Sequence, residues 1–542
     1  MPTNRRTAWL CAAAIPLLLA APSLAVADSR FQLQQTHRFI TVHLPATASE
    51  PAAGRLLLFV APAPKGALPD AVEADEFEPQ SVTVAAQDVP NLPPGGTADI
   101  DADAQAYPAG ISKLKPGDYM VQAVLDTRHD FAYGGPAAGD ITSDVARITI
   151  KADPTALPVL DLTHIVPPRD PWNPPARMPP AMRATVIAAK ANTQPINFQS
   201  HVLTQFFGRP ITMHGWVLTP PGYNPSKPTL YPTIYLIHGY GASYITVTGQ
   251  IGYINAAMAK GEIPPMIWVF PDQSSPTGTH EFADSVNNGP WGQALTTELI
   301  PALQSQYRME PAPSERFLVG HSSGGWATLW LQTRYPALFG GCWSTAPDPS
   351  DFHDFININI YAPNANAYHA PDGTPTPLVR ADGKVLATFQ EVAQLEAMLG
   401  PTGGQLSSFN WVFSPRGPDG TPMPLFNRAT GAINPAVAAY WKTHYDIANL
   451  VTTHWPEKQH DLTGKIHVIV GTADTFYLDG PAHRLQQALA PLHTGAQFTF
   501  IPGRTHMTLY QKPNDEHGLL KDIAWEVYKT ARPNTKLSRP TE

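Results

Sequence analysis

Arg316-Phe317-Leu318-Val319-Gly320-His321-Ser322-Ser323-Gly324-Gly325-Trp326-Ala327-Thr328-Leu329-Trp330-Leu331-Gln332 is the stretch from which the rest of the chain is read. At its centre lies Gly320-His321-Ser322-Ser323-Gly324, of the form G-x-S-x-G. The short apolar run before it reads as a buried strand, and the run after it as a helix. Strand, sharp turn and helix are the setting in which a serine backbone is strained and its Oγ is pushed clear of a sheet. Glycine suits positions 320 and 324 because a Cβ at either would meet the neighbouring strand or helix. The pentapeptide alone is a weak signal that Gly- and Ser-containing turns produce by chance. Its flanks give it weight.

Outward from this turn, short apolar runs alternate with helical stretches. Thr233-Ile237, Met266-Phe270, Arg316-Val319, Gly341-Ser344, Ile466-Val470 and Phe498-Ile501 read as strands. Phe198-Phe207 and Ile211-Leu218 read as a hairpin turned at Gly208-Arg209-Pro210. Such alternation implies an α/β domain: a mainly parallel sheet with helices on both faces. Functional groups should gather at the carboxyl ends of its strands. After Ile237 comes His238-Gly239-Tyr240-Gly241, where small residues let a backbone N–H point inward, as an oxyanion hole requires. After Val470 comes Gly471-Thr472-Ala473-Asp474, and after Ile501 comes Pro502-Gly503-Arg504-Thr505-His506. Ser322, Asp474 and His506 thus follow one another in the order nucleophile, acid, base. Asp474 by itself also reads as a loop cap, and Asp479 competes for its role.

These pieces resemble the putative-esterase branch of the α/β-hydrolases, which includes esterase D, enterochelin esterases and feruloyl esterases. The resemblance spans roughly residues 195 to 535. Besides the Ser322 turn, four stretches carry it: Tyr235-Leu236-Ile237-His238-Gly239-Tyr240-Gly241, Glu281-Phe282-Ala283-Asp284-Ser285, Asn288-Gly289-Pro290-Trp291-Gly292 and Glu298-Leu299-Ile300-Pro301. It implies Ser322 as nucleophile, His506 as base and Asp474 as its orienter. It also implies oxyanion donors at the backbone N–H groups of Tyr240 and Ser323. No cofactor and no metal are expected. One departure stands out. About 120 residues separate the Cys342 strand from the Asp474 strand, far more than a crossover needs. The excess, at about 346–464, holds Pro- and Gly-rich pieces around a helix expected at Thr388-Leu399, and reads as a cap over the site. Tyr244, Trp291 and Trp343 are the aromatic side chains expected to line an ester pocket; core packing is the other reading of Trp343.

The first 27 residues read as a signal peptide. Arg5 and Arg6 supply the positive start, Leu10 to Ala21 the apolar run, and Ala25-Val26-Ala27 the cleavage site, so the mature chain is expected to begin at Asp28. This implies an exported protein, periplasmic or secreted. Losing Arg5 and Arg6 takes the formal charge from −8 to −10 and leaves Cys342 as the one cysteine, so no intrachain disulfide is possible. An acidic balance argues against nucleic acid and anionic membranes as partners, and no later stretch is long and apolar enough to span a bilayer.

Residues 28–153 show short strand signals at Phe39-Val42, Arg55-Val60, Ser81-Val84, Tyr119-Leu125 and Val145-Ile150. Leu114-Lys115-Pro116-Gly117-Asp118-Tyr119 resembles the tyrosine corner of immunoglobulin-like domains, and a β-sandwich is expected. Asp99, Asp101 and Asp103 alternate as on a solvated strand face. Nine prolines between Pro154 and Pro180 mark a stiff linker over 154–185, after which 186–542 forms the α/β-hydrolase domain. This layout makes the sandwich a separable unit. Of the histidines, His238 is expected to support the oxyanion loop and His321 to pack locally; His444, His454 and His460 match no zinc spacing. The function that follows is hydrolysis of small or carbohydrate-linked esters through an acyl-enzyme. Acyl transfer to an alcohol on the same fold, an inactive glycan-binding protein and a serine peptidase are the other readings.

Overall fold

The computed structural model describes residues 37–128, 133–151, 157–400 and 403–539; the expected signal peptide lies outside them. From residue 193 onward an eight-stranded sheet forms the centre. Its strands are β1 (Thr193–Ser200), β2 (Ile211–Leu218), β3 (Thr233–Ile237), β4 (Ile267–Pro271), β5 (Arg316–His321), β6 (Gly341–Thr345), β7 (Ile466–Gly471) and β8 (Gln497–Ile501). They lie side by side in the order β1-β2-β4-β3-β5-β6-β7-β8. Only β2 runs against its neighbours; every pair from β4 to β8 is parallel. β3 and β4 are buried from end to end. That matches their unbroken apolar sequence, since strands covered by helices on both faces need no polar alternation.

The hairpin expected at Phe198–Leu218 is corrected. β1 starts earlier, at Thr193, and the helix His201–Phe207 stands between it and β2. Ser200 caps that helix by accepting from the Leu203 N–H at 3.1 Å, the Glu298 carboxylate accepts from the Val202 N–H at 3.1 Å, and Gly208 closes it at φ 66°. A cap and a stop at the two ends outweigh the strand propensity of the phenylalanines between them.

The N-terminal strands form one nine-stranded sheet that folds over on itself. The strand Ala52–Pro62 shows why its sequence is apolar throughout. Leu56, Leu58 and Val60 enter the core between the two layers, with Val42, Val121 and Ile148. Leu57, Phe59 and Ala61 point the other way, as strand geometry demands. There they pack with Val72, Val82, Val84 and with Leu395 of the helix Phe389–Leu399, which belongs to the long insertion between β6 and β7. Arg55 donates to the Met398 carbonyl at 3.0 Å across the same seam. The N-terminal region and the insertion therefore share a core.

The stretch read as linker also carries structure. Leu160–Ile165 is a strand of the N-terminal sheet, parallel to Phe39–His43, and Pro180–Ala189 is a helix. Asp99 accepts from the Thr41 hydroxyl, Asp101 pairs with His37, and Asp103 accepts from two backbone N–H groups. Among the described residues no helix is long and apolar enough to cross a membrane.

Candidate active site

Ser322 sits at the carboxyl end of β5 with φ 60° and ψ −126°, a conformation costly for any residue with a side chain. It is held there from both sides. Its N–H donates to the Thr345 carbonyl at 3.0 Å, and its carbonyl accepts from Trp326 at 3.0 Å and Asp348 at 3.2 Å. A Cβ on Gly320 would lie 2.1 Å from the Gly324 carbonyl oxygen, and one on Gly324 would lie 2.1 Å from that of Ile237. The turn can be this tight only with glycine at both places. Ser323 opens the helix Ser323–Arg334, so its N–H is one of those a helix leaves without an internal partner.

The turn after β3 passes beside this serine. A Cβ on Gly239 would lie 3.2 Å from Ser322 Cβ and 3.7 Å from its Oγ, so a larger residue there would crowd the hydroxyl. His238 braces the turn, bonding through Nδ1 to the Gly239 carbonyl at 2.8 Å and through Nε2 to the Asp272 carboxylate at 2.9 Å. Tyr240 follows, and burial holds its phenol well above the usual range.

After β8 and β7, His506 and Asp474 meet: Nδ1 to Oδ2 is 2.9 Å, and both side chains are buried. The other oxygen of Asp474 accepts from the N–H groups of Phe476 at 2.9 Å and Leu478 at 3.2 Å. Asp479 is turned away and pairs with Arg380 at 2.7 Å. Arg380 also donates to the Asp474 carbonyl at 2.7 Å. His506 is walled by Phe476, edge-on with ring centres 4.9 Å apart, and by His321 at 4.4 Å. Burial and the neighbouring His506 hold His321 well below the usual histidine range, so it stays neutral. Ser322 and His506 are not hydrogen-bonded to each other here; such contacts often tighten only around a bound substrate.

One narrow cavity, partly open to solvent, has Ser322 in its lining. Its polar lining is Ser322, Asp348, Gln405, Glu396 and Glu76; apolar lining includes Leu378, Leu406, Phe409 and Phe476. Tyr244, Trp291 and Trp343 are not among the lining residues. Tyr244 stacks on His214, Trp291 lies flat on His280 with centres 3.7 Å apart, and Trp343 is buried against His467 and donates to Glu526.

Sequence reading missed Asp348 and Glu281. Asp348 is buried, accepts from the Ser323 hydroxyl at 2.6 Å, and has its carboxyl pushed up to about 6, chiefly by burial. It follows β6 by three residues, so the strand-end rule that singled out Asp474 also applied to it. Glu281 is buried at φ 50°, with no hydrogen-bond partner for either carboxyl oxygen among the described residues; burial and Asp348 drive its pKa far up. No sequence signal marked it beyond its place in the Glu281-Phe282-Ala283-Asp284-Ser285 stretch. Elsewhere, His444 bonds to the Tyr440 carbonyl, His454 to Glu457 and His460 to Asp461, all local contacts. Asp351, His353 and Asp446 bring ligand-type atoms within 4.8 Å of one another, but the Lys442 side chain lines the same hollow.

A family model described as putative esterase matches residues 208–506. Among solved structures, a ferulic acid esterase is 16% identical, with 62% of this chain and 98% of that one covered at a TM-score of 0.39. An S-formylglutathione hydrolase from Agrobacterium tumefaciens is 15% identical, with coverages of 62% and 95% and a TM-score of 0.37. The apoenzyme of the corresponding Staphylococcus aureus hydrolase is 11% identical, with coverages of 63% and 98% and a TM-score of 0.38. The family match, which takes in more than half of the chain, carries the assignment.

Proposed function

The chain belongs to the putative esterase family and is a carboxylic-ester hydrolase, and on that premise we propose that it works as a serine esterase through an acyl-enzyme. Ser322 Oγ attacks the ester carbonyl while His506 Nε2 takes its proton, and His506 then returns the proton to the leaving alcohol. Asp474 holds the imidazole with its proton on Nδ1. The N–H groups of Tyr240 and Ser323 receive the oxyanion, each worth roughly 3 kcal/mol of barrier. Water releases the acyl group by the same steps in reverse.

The observation that carries this reading is the strained Ser322 at the end of β5, facing a cavity walled by Phe476, which packs on the buried His506–Asp474 pair. The test is an active-site fluorophosphonate. It should label Ser322 in the wild type, and Ser322→Ala should lose both the label and ester hydrolysis. Labelling at Ser323, or hydrolysis surviving in Ser322→Ala, would reassign the nucleophile.

Small or carbohydrate-linked esters are the substrates this reading favours. Residues 1–27 act as the signal peptide, and the protein is periplasmic or secreted; the amino terminus of the purified mature chain, expected at Asp28, checks this. The N-terminal sheet is an immunoglobulin-like sandwich in this reading, supported by the Tyr119 hydroxyl, which donates to the Lys115 carbonyl at 2.9 Å as a tyrosine corner does.

A further inference from the structure

The cavity at Ser322 is not built by one region of the chain. One of its lining side chains, Glu76, comes from the N-terminal region, 246 positions earlier in sequence. The loop bearing it is fixed in place. Val72 at its start is buried and its N–H donates to Gln122 at 2.9 Å; Val82 at its end is buried in the core that includes Leu395. Between them Phe77 packs against Phe476 with ring centres 5.7 Å apart, and Phe476 in turn packs on His506. Gln80 reaches Glu391 on the insertion helix.

The polar lining has a definite character. Among the described residues no Lys, Arg or His lines the cavity, and its ionisable groups are all carboxyls. Two of these are engaged. Asp348 accepts from Ser323, and Glu396 accepts from the Leu406 N–H at 3.0 Å and pairs with Arg428 at 3.3 Å. Glu76 alone of the three forms no hydrogen bond with another described residue. A half-buried carboxyl that no protein donor engages is open to water and to a donor that the substrate brings. An anionic substrate group would meet carboxylates and no counter-charge.

We propose that Glu76 is a specificity-determining residue that selects esters carrying a hydroxyl or ammonium group over matched esters lacking one, and over anionic ones. This rests on the reading of Ser322 as nucleophile. A site whose polar group must be paired discriminates strongly against substrates that cannot pair it.

The test uses four p-nitrophenyl esters of one chain length: hexanoate, 6-hydroxyhexanoate, 6-aminohexanoate and the monoester of adipate. A second set carries the same terminal groups on the alcohol side of acetate esters, followed by acid release. Wild-type kcat/KM should favour the hydroxyl or ammonium ester over hexanoate by at least about tenfold in one of the two sets, with the anionic ester slowest. Glu76→Ala should bring that preference within about threefold, with hexanoate hydrolysis by the same variant read alongside as the reference. Glu78→Ala, on the same loop and exposed, should change neither. Glu76→Gln separates the two donors: a hydroxyl preference survives it and an ammonium preference does not. An unchanged preference in Glu76→Ala overturns the proposal, as does a wild type that favours hexanoate or turns over no donor-bearing ester although fluorophosphonate labels Ser322. Absence of that label instead removes the underlying reading.

Discussion

Asp474→Asn isolates what the buried carboxylate does. The substitution keeps size and shape, and its geometry is dictated by neighbours. One oxygen of Asp474 accepts from the Phe476 and Leu478 N–H groups, so the asparagine must keep its carbonyl oxygen there. Its NH₂ then faces His506 Nδ1, 2.9 Å away in the wild type. Two donors cannot share that line. His506 must accept at Nδ1 and carry its proton on Nε2, the atom that has to take the proton of Ser322. A triad with the wrong tautomer loses about 10⁴-fold in kcat, equivalent to roughly 5 kcal/mol of barrier. Asp479→Asn is the matched control. It weakens a half-exposed pairing with Arg380 and should stay within about tenfold of wild type. Steady-state hydrolysis of p-nitrophenyl acetate, with circular dichroism to check folding, measures both. Near-normal turnover in Asp474→Asn, or a deeper loss in Asp479→Asn, would refute the reasoning.

Three further outcomes are expected. Ser322→Gly should unfold at a higher temperature than Ser322→Ala by an amount worth about 1 kcal/mol, because only glycine relaxes at φ 60°; equal calorimetric midpoints would mean the turn is unstrained. Asp348→Asn should be more stable than wild type at pH 8 by up to about 3 kcal/mol and no more stable near pH 3: a carboxyl raised by burial to about 6 gives up stability as pH rises from its ordinary 3.8 through 6, and urea titrations at the two pH values read the difference. A chain beginning at Pro180 should aggregate or melt well below the full protein, since Leu395 and its neighbours lose their cover at roughly 1.5–3 kcal/mol for each large apolar side chain; a monodisperse product with an unchanged melting point would show that the shared core contributes little.

What the sequence determined is what short stretches encode. β3 to β8 could be placed within a residue or two because short, largely apolar runs bounded by turn residues leave few alternatives. The helix expected at Thr388-Leu399 is found at Phe389–Leu399, and the capping box that starts it, Thr388 with Glu391, lies within four residues. Ser322, Asp474 and His506 stood out because each follows a strand, and a parallel sheet collects such ends at one edge. His201–Phe207 misled, because its cap draws on Glu298, almost a hundred positions away. What only the tertiary structure decided is which side chains meet there. Asp474 and Asp479 were rivals in sequence; an arginine from the insertion, Arg380, takes one and leaves the other to His506. The three aromatics chosen for the pocket pack elsewhere, and Glu76 arrives from the far end of the chain. Periodicity reports which face of an element is covered but not by what: both faces of Ala52–Pro62 are apolar, and the helix that covers the second lies more than three hundred residues away.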